Sequence, residues 1–393
     1  MPRSSPQLHR DILRLIAEHA DRKTACVMMR CCRALYQDAV ATVLAEPVFL
    51  DYYWIDRIRS DNRLVSFIRF MRAEDGRRWR FLRGLMFGDR EFNPRMAQAL
   101  AEGISQATNI TYLEFEQLES LLTNHGDIRD ALTTLKNVKH LKLSNAAKHA
   151  CTFLESVQWP LVTVGLMISD ESGGEWDLPD IYKRLHPASL LQSARETLVQ
   201  VSCNSWDITQ YGKDSPDYPN VKRFEIEGVW FPTMPQWVKT YPNLTTLLVF
   251  PLGTDIADMD EDDRAEFDSI RQANLEALEK RCWPKLDGVI AGSVADFYVL
   301  GLPCHVHTLD LGVATWCLPL LPDALDRVRP VVIRVSTDGE FFASKFKTYF
   351  EQASNALQDL EELKVTIRFY SDVQDIPRVL VSPVVELVLR EFL

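Results

Sequence analysis

Cysteines and histidines are the residues of this chain whose type and spacing could do chemistry. Cys304, His305 and His307 form the most compact cluster, and thiolate and imidazole groups are the ligands that zinc prefers in proteins. The nearby sequence offers no fourth ligand at zinc-site spacing, and Val306 and Leu309 fit the alternation of a strand. The cluster therefore favours a structural role over a metal site.

Three more cysteines, Cys26, Cys31 and Cys32, lie in apolar helical sequence without zinc-site spacing, so we predict that they are core residues. The eight cysteines of the 393-residue chain show no framework spacing, which predicts reduced thiols. P-loop, dinucleotide-binding, metalloprotease and hydrolase-elbow motifs are all missing from the sequence. We expect no catalytic residue, no metal and no cofactor, although a triad assembled from distant residues stays open.

Charge is distributed unevenly along the sequence. Residues 1–83 hold 16 Lys+Arg and 10 Asp+Glu, a balance of +6. The remaining residues must therefore carry −17 to give the net charge of −11. An acidic surface disfavours a nucleic-acid partner, and we predict that the basic run from Arg69 to Arg83 is a solvated junction. With no apolar run of about 18 residues and no signal-peptide core, we expect no membrane partner and a cytoplasmic and/or nuclear location.

A recurring heptapeptide indicates the secondary-structure elements that would position the chain's functional residues. Its clearest copy runs from Asn137 to Leu143, and near-copies begin at Asn109, Asn220 and Asn243. Apolar residues at its second, fifth and seventh places predict a half-buried strand. With the fifth residue as origin, strands are predicted around Leu85, Leu113, Leu141, Val164, Val201, Phe224, Leu247, Val289, Leu309, Ile333, Leu363 and Leu387.

The spacing of these origins resembles that of leucine-rich repeats. Most are separated by roughly 20–30 residues, enough for one strand and a returning segment, and such units stack with their strands parallel. Asn93 followed by Pro94 predicts the start of one returning helix. Well-formed leucine-rich repeats carry an Asn five places after the origin, where this chain has residues such as Leu118 and Ala146. We therefore predict an irregular α/β solenoid, held by apolar stacking and without an amide ladder.

Residues 7–44 form a distinct unit ahead of the repeats. Leu8, Ile12 and Ile16 are spaced four apart on one helical face, which Leu13 widens. Two further apolar segments predict two more helices. Because three short helices have little room for a core, we predict a module that a partner completes.

The order Leu8-x-x-Asp11-Ile12-Leu13-x-x-Ile16, followed by Cys32-Arg33-Ala34-Leu35-Tyr36, resembles the F-box, with His9 where that family usually has Pro. F-box proteins dock on the Skp-type adaptor of cullin ubiquitin ligases, and an F-box before degenerate repeats looks like a large family found in fungi. The resemblance implies a substrate-recognition subunit that binds the adaptor, the cullin ligase core and an unknown target protein. The adaptor-binding residues that it implies are Leu8, Ile12, Leu13, Ile16, Val27, Leu35 and Tyr36.

This interpretation predicts three domains: an F-box-like helical module at 1–45, a helical linker at 46–83 and a degenerate leucine-rich-repeat solenoid at 84–393. The N-terminal helices could instead only cap the stack, since terminal repeats need a polar lid. The chain would then be a protein-interaction scaffold unrelated to ubiquitin. Both interpretations stay open.

The repeats also predict a binding surface. In a parallel stack, the residues one before, one after and three after each origin point to the concave face. Here they combine aromatic side chains with both signs of charge, which is typical of a protein-binding surface. The predicted target-binding residues are Tyr112, Glu114, His140, Lys142, Arg223, Glu225, Leu248, Phe250 and Arg334.

Overall fold

The chain folds into strand and helix repeats that fall into two compact units. The first unit is Met1–Trp176 with Leu190–Thr197, and the second is Asp177–Ser189 with Leu198–Leu393. The computed structural model describes residues 9–50, 57–88, 92–168, 186–204, 216–228, 232–250, 261–338, 348–368 and 384–389.

In the first unit, five strands pair in sequence order and every pair is parallel. The predicted origins Leu85, Leu113, Leu141 and Val164 are aligned side by side and buried. Equivalent residues of successive repeats therefore share one core, as the alternation predicted. The two-residue strand β1 lies in the segment predicted as a helical linker. The strands are β1 Val48–Phe49, β2 Gly84–Phe87, β3 Tyr112–Phe115, β4 His140–Ala146 and β5 Thr163–Ile168.

The second unit aligns seven further origins in the same way, from Val201 on β6 to Leu363 on β12, all in parallel pairs. Its last strand, β13, is antiparallel to β12, and Leu387 faces Val365. The prediction of a parallel strand there is wrong, because apolar alternation carries no information about strand direction. The strands are β6 Gln200–Asn204, β7 Arg223–Glu227, β8 Thr246–Phe250, β9 Lys285–Ala291, β10 His305–Val313, β11 Val332–Asp338, β12 Glu362–Arg368 and β13 Val384–Leu389.

Helices return the chain between strands. Asn93 caps one of them as predicted, since its Oδ1 accepts from the Arg95 backbone N–H at 3.0 Å and Pro94 follows in the first turn. In the described residues, no helix is both long enough and apolar enough to cross a bilayer. The α-helices of the linker and repeats are α4 Arg57–Arg72, α5 Pro94–Ile104, α6 Leu118–Asn124, α7 Gly126–Thr133, α8 Lys148–Ser156, α9 Pro187–Leu190, α10 Met234–Thr240, α11 Glu261–Leu278, α12 Val294–Val299 and α13 Leu321–Leu325; shorter 3-10 helices span Arg77–Phe81, Gln192–Ala194, Thr315–Leu320 and Ser354–Leu357.

An amide ladder links successive repeats. The side-chain nitrogens of Asn109, Asn137 and Asn243 each donate to a backbone carbonyl of the preceding repeat. The prediction that no ladder forms is wrong, because the amides stand four places before the origin rather than five after it. Each bond satisfies a backbone carbonyl that the strand pairing leaves free. The acceptors are Arg80 O at 2.7 Å, Thr108 O at 2.8 Å and Pro219 O at 2.9 Å.

The segment inserted between β8 and β9 contains the long helix α11, which one buried side chain fastens to its neighbours. Asn274 Oδ1 accepts from the Met234 backbone N–H at 3.2 Å. Its Nδ2 donates to Pro232 O at 2.9 Å and to Val299 O at 2.8 Å. Because Met234 begins α10 and Val299 ends α12, a single amide joins three helices.

Candidate protein-binding surfaces

The N-terminal module consists of three short helices, as predicted: α1 Arg10–His19, α2 Arg22–Met28 and α3 Arg33–Val43. Asp21 starts α2 by accepting from the Thr24 backbone N–H at 2.6 Å. This hydrogen bond holds the pKa of the Asp21 carboxyl below its ordinary value. The Thr42 hydroxyl ties α3 to α1 by donating to Ala17 O at 2.7 Å.

The core of this module is made of small side chains. Alanine methyl groups bury little apolar area, so they contribute little to holding three helices together. Val43 is the largest side chain of the buried cluster, and two methionines pack at its edge. The buried members are Ala17, Ala25, Ala39 and Val43, and the edge members are Ala20, Met28 and Met29.

Large aliphatic side chains of the same module face solvent. Ile12, Leu15 and Ile16 on α1 are 48%, 54% and 46% exposed, and Val27 on α2 is 56% exposed. We refer to these four residues as the apolar face. In the part of the chain that the structure describes, the only other large apolar side chain with comparable exposure is Val199.

Three of the other predicted adaptor-binding residues are less accessible. Leu13, Leu35 and Tyr36 are half-buried, and Leu8 lies outside the described residues. The Tyr36 ring also has an intramolecular contact, since the Arg78 guanidinium carbon lies 5.0 Å from its centroid. Tyr36 therefore helps to hold the module against the segment that follows it.

Arg78 anchors this junction. It is only 5% exposed, and its guanidinium also lies 4.4 Å from the centroid of the Phe70 ring. One Nη donates to Phe70 O at 2.7 Å, and the other lies 3.2 Å from a Glu74 carboxylate oxygen. The prediction of a solvated basic run is wrong at Arg78, because aromatic faces and hydrogen bonds offset the desolvation of its charge.

The prediction that Cys26, Cys31 and Cys32 are core residues is also wrong, since all three are exposed. Helical periodicity marks an apolar face, but it does not reveal whether the chain itself covers that face. Cys31 Sγ donates to Val27 O at 3.4 Å, so one thiol sits beside a member of the apolar face.

The repeats present a second surface. It is the side of the strands that carries the residues alternating with the buried core residues, and we call it the open face. In the first unit, Glu114 links two strands: it accepts from Tyr112 Oη at 2.5 Å and lies 2.9 Å from Lys142 Nζ. His140 Nδ1 lies 2.8 Å from Thr163 Oγ1 on the next strand. Burial, together with the hydrogen bond to Glu114, raises the pKa of Tyr112. The structure thus brings four of the predicted target-binding residues together.

The open face of the second unit also carries both signs of charge. An Arg223 nitrogen and a Glu225 oxygen on β7 are 4.0 Å apart. On later strands, Asp310, Arg334 and Lys364 are aligned in one row. Burial raises the pKa of Asp310, and the two cations oppose that shift. Phe250, at the end of β8, is half-buried, whereas Arg334 is exposed.

Leu248 does not belong to the accessible part of this surface. It is 3% exposed, so the prediction that it contacts a target is wrong. The register places it between Glu225 and Ile290 on the neighbouring strands. Its side chain is therefore buried at a strand position where the alternation predicted an outward side chain.

The cluster at Cys304, His305 and His307 is divided by the strand. His305 and His307 are exposed on one side of β10, whereas Cys304 and Val306 are buried. Among the residues described, no three His, Cys, Asp or Glu side chains converge as a metal site would require.

Strands in sequence order, aligned origins and returning helices define an α/β leucine-rich-repeat solenoid fold behind a three-helix module. Comparison with protein-family models and with curated proteins gives no match. Among solved structures, the chain is similar to the leucine-rich repeat-containing protein LegL7 of Legionella pneumophila, with 12% identity and a TM-score of 0.40 over 82% of this chain and 91% of that one. The fold class rests on strand order and register rather than on this likeness.

Proposed function

We propose that this chain is a protein-interaction scaffold that recruits a target protein to a cullin-type ubiquitin ligase. The N-terminal module docks the Skp-type adaptor, and the open faces of the repeats bind the target. The observation that carries the proposal is the apolar face of Ile12, Leu15, Ile16 and Val27, on a module whose buried cluster is three alanines and one valine. The F-box-like order of residues in this module supports the identity of the partner.

The exposed area supports docking on energetic grounds. Full burial of a large aliphatic side chain stabilises an assembly by about 1.5–3 kcal/mol. Each of the four side chains is about half exposed, so a partner that covers them gains on the order of 1 kcal/mol from each. A small cluster of such residues is the usual energetic centre of a protein interface.

The open faces suit a folded or extended protein target. Glu114, Lys142 and Tyr112 hold one another in fixed positions, which lowers the entropy lost on binding. The chain makes no covalent bond itself in this function. It raises the effective concentration of a target lysine near the ubiquitin carrier that the ligase holds.

Co-purification of the full chain with a Skp-type adaptor tests the proposal. We expect the wild-type chain to capture the adaptor, and Ile12→Asp or Val27→Asp to abolish capture, because either change places a charge in the apolar contact. Val199→Asp is the matched control, since it puts the same charge on an exposed aliphatic side chain in the second unit. Circular dichroism checks that all variants stay folded.

Two results would overturn the proposal. One is the absence of capture by the folded wild-type chain, which would favour a scaffold unrelated to ubiquitin. The other is equal capture by all three variants, which would place the contact elsewhere.

A further inference from the structure

One edge of the first unit carries an excess of exposed cations. The segments that lead from a helix into β1, β2, β3, β4 and β5 are residues 44–47, 73–83, 105–111, 134–139 and 157–162. Together they contain six Lys+Arg and three Asp+Glu. Arg78 is buried and paired with Glu74, which leaves five exposed cations and two exposed carboxylates, those of Glu46 and Asp75. The five cations, which we call the basic edge, are Arg77, Arg80, Arg83, Lys136 and Lys139.

Hydrogen bonds between repeats fix the backbone positions of four of these cations. The Thr111 backbone N–H donates to Arg83 O at 2.8 Å, and the Lys139 N–H donates to Thr111 O at 2.9 Å. Arg83 and Lys139 therefore occupy the same place in the repeats of β2 and β4, which are two strand spacings of about 4.8 Å apart. Arg80 and Lys136 occupy a second common place, since each lies three residues earlier in its repeat.

The repeat of β3 lies between these two repeats and has neutral side chains at both places. They are Thr108, which is exposed, and Thr111, whose hydroxyl donates to Arg83 O at 3.2 Å. In the part of the chain that the structure describes, none of the five cations of the basic edge makes an ion pair. Because no carboxylate stands between the two repeats at these places, the fields of their cations add.

The surroundings of the basic edge disfavour nucleic acid and lipid as partners. Trp79 is buried, and the Arg80 guanidinium carbon lies 4.9 Å from the ring centroid of the half-buried Phe81, so neither ring is open for a base to stack on. The large exposed apolar side chains of the described residues all lie outside these five segments, so none is available there to enter a bilayer.

Charge favours a short acidic partner over a long one. The net charge of the chain is −11, which repels an extended polyanion. A short acidic segment meets mainly the local cations, because charges more than about 8–10 Å away are screened at physiological salt. The basic edge therefore fits an acidic stretch of polypeptide better than a phosphate polymer.

We propose that the basic edge binds a run of aspartate and glutamate residues in a partner protein. An extended chain advances about 3.3 Å per residue, so about three residues cover the roughly 10 Å between the two repeats. Consecutive acidic residues thus present carboxylates to Arg80 and Arg83 on one repeat and to Lys136 and Lys139 on the other. The proposal uses neither the apolar face nor the open face, and it is independent of adaptor docking.

Fluorescence anisotropy of the full wild-type chain with a labelled peptide of ten glutamates tests the proposal. We expect this peptide to bind and a peptide of ten glutamines not to bind. Raising the salt concentration from about 50 to about 300 mM should weaken the glutamate peptide at least about tenfold, because the contact is solvent-exposed and electrostatic.

A pair of double variants locates the contact. Arg83→Glu with Lys139→Glu should weaken the glutamate peptide by about tenfold or more, since two attractive charges become repulsive. Arg95→Glu with Lys148→Glu is the matched control, because both are exposed cations that follow β2 and β4, whereas the basic edge precedes these strands. It makes the same change in net charge, and we expect it to alter binding by less than about twofold.

Carbodiimide crosslinking of the wild-type chain to the glutamate peptide gives a second measurement without substitutions. Mass spectrometry should find the peptide attached to Lys136 and Lys139 ahead of the other lysines. The proposal is overturned if the glutamate peptide does not bind, if both double variants weaken it equally, or if the crosslinks lie elsewhere. Tighter binding of a dT decamer or of phosphatidylserine vesicles through Arg83 and Lys139 would overturn the choice of a polypeptide partner.

Discussion

The N-terminal module and the repeats use apolar residues in opposite ways. The repeats bury large aliphatic and aromatic side chains, whereas α1 and α2 of the module bury only alanines and expose isoleucine, leucine and valine. The repeats therefore cover their own apolar residues, whereas the module leaves four large aliphatic side chains uncovered in the structure. Fully buried aromatic residues of the repeats include Phe115, Trp159, Phe224, Trp237 and Trp283.

Truncating one aliphatic or aromatic side chain in each region should show the largest contrast. Phe224 is fully buried, and its ring lies 5.3 Å from that of Trp237 and 4.7 Å from that of Tyr241. We expect Phe224→Ala to lower the free energy of unfolding by about 3–5 kcal/mol, and Ile12→Ala to change it by less than about 0.5 kcal/mol. Urea titrations followed by tryptophan fluorescence measure both, and similar losses would contradict the contrast.

Removing the side-chain amide that holds α11 should give the next largest loss of stability. Asn274→Ala leaves the Met234 N–H and the Pro232 and Val299 carbonyls without this partner, and we expect it to cost about 2–4 kcal/mol in unfolding free energy. Gln272→Ala is the control on the same helix, because its exposed side chain donates to Glu276 in a surface hydrogen bond. Equal effects would show that α11 is held by other contacts.

Changing the pH should affect the stability of the two regions in opposite directions. Burial raises the pKa of Asp296 to about 6 in the folded repeats, so the folded state holds the proton more tightly than the unfolded state. The stability that this provides is present at low pH and is lost as pH rises through about 6. Relative to Asp296→Asn, the wild-type chain should lose about 1–3 kcal/mol between pH ~4 and ~7.

In the module, the lowered pKa of the exposed Asp21 carboxyl has the opposite consequence. Its stabilisation of α2 is present above the unfolded pKa and is lost as pH falls through the folded one. Unfolding curves of Asp296→Asn between pH ~4 and ~7, and of Asp21→Asn below pH ~4, measure both slopes against the wild-type chain. Slopes of the same sign would refute the assignment.

The amide ladder should give the smallest of these effects. Asn137→Ala removes one inter-repeat hydrogen bond, and we expect a loss of about 1 kcal/mol in unfolding free energy. Asn124→Ala is the control, since its exposed amide donates to the Ser120 hydroxyl within α6 rather than to a neighbouring repeat. A loss as small as that of the control would mean that apolar stacking alone joins the repeats.

The sequence predicted the strand positions well, because the buried residue at each origin from Leu85 to Leu363 is a direct consequence of one face of each strand being covered. It did not predict the direction of β13, since alternation reads the same in both directions. It also missed β1, because two residues are too few to show alternation. These errors concern elements whose geometry depends on pairing partners rather than on their own residues.

The surfaces were harder to predict than the core. The heptapeptide revealed Asn109, Asn137 and Asn243 as a repeated feature, but only the spatial offset between repeats shows that their amides reach a neighbouring carbonyl. Burial of Leu248 depends on the side chains that surround it in the fold, which a one-strand pattern does not contain. Exposure of Cys26 reflects the small size of the module's core, which periodicity does not measure.

Hydrogen exchange of the full chain, with and without a purified Skp-type adaptor, tests most directly whether the module is completed by a partner. The account predicts slower exchange of the amides of α1 and α2 on adding the adaptor, with no change along the repeat strands. Unchanged exchange in α1 and α2, or protection confined to the open faces of the repeats, would contradict it.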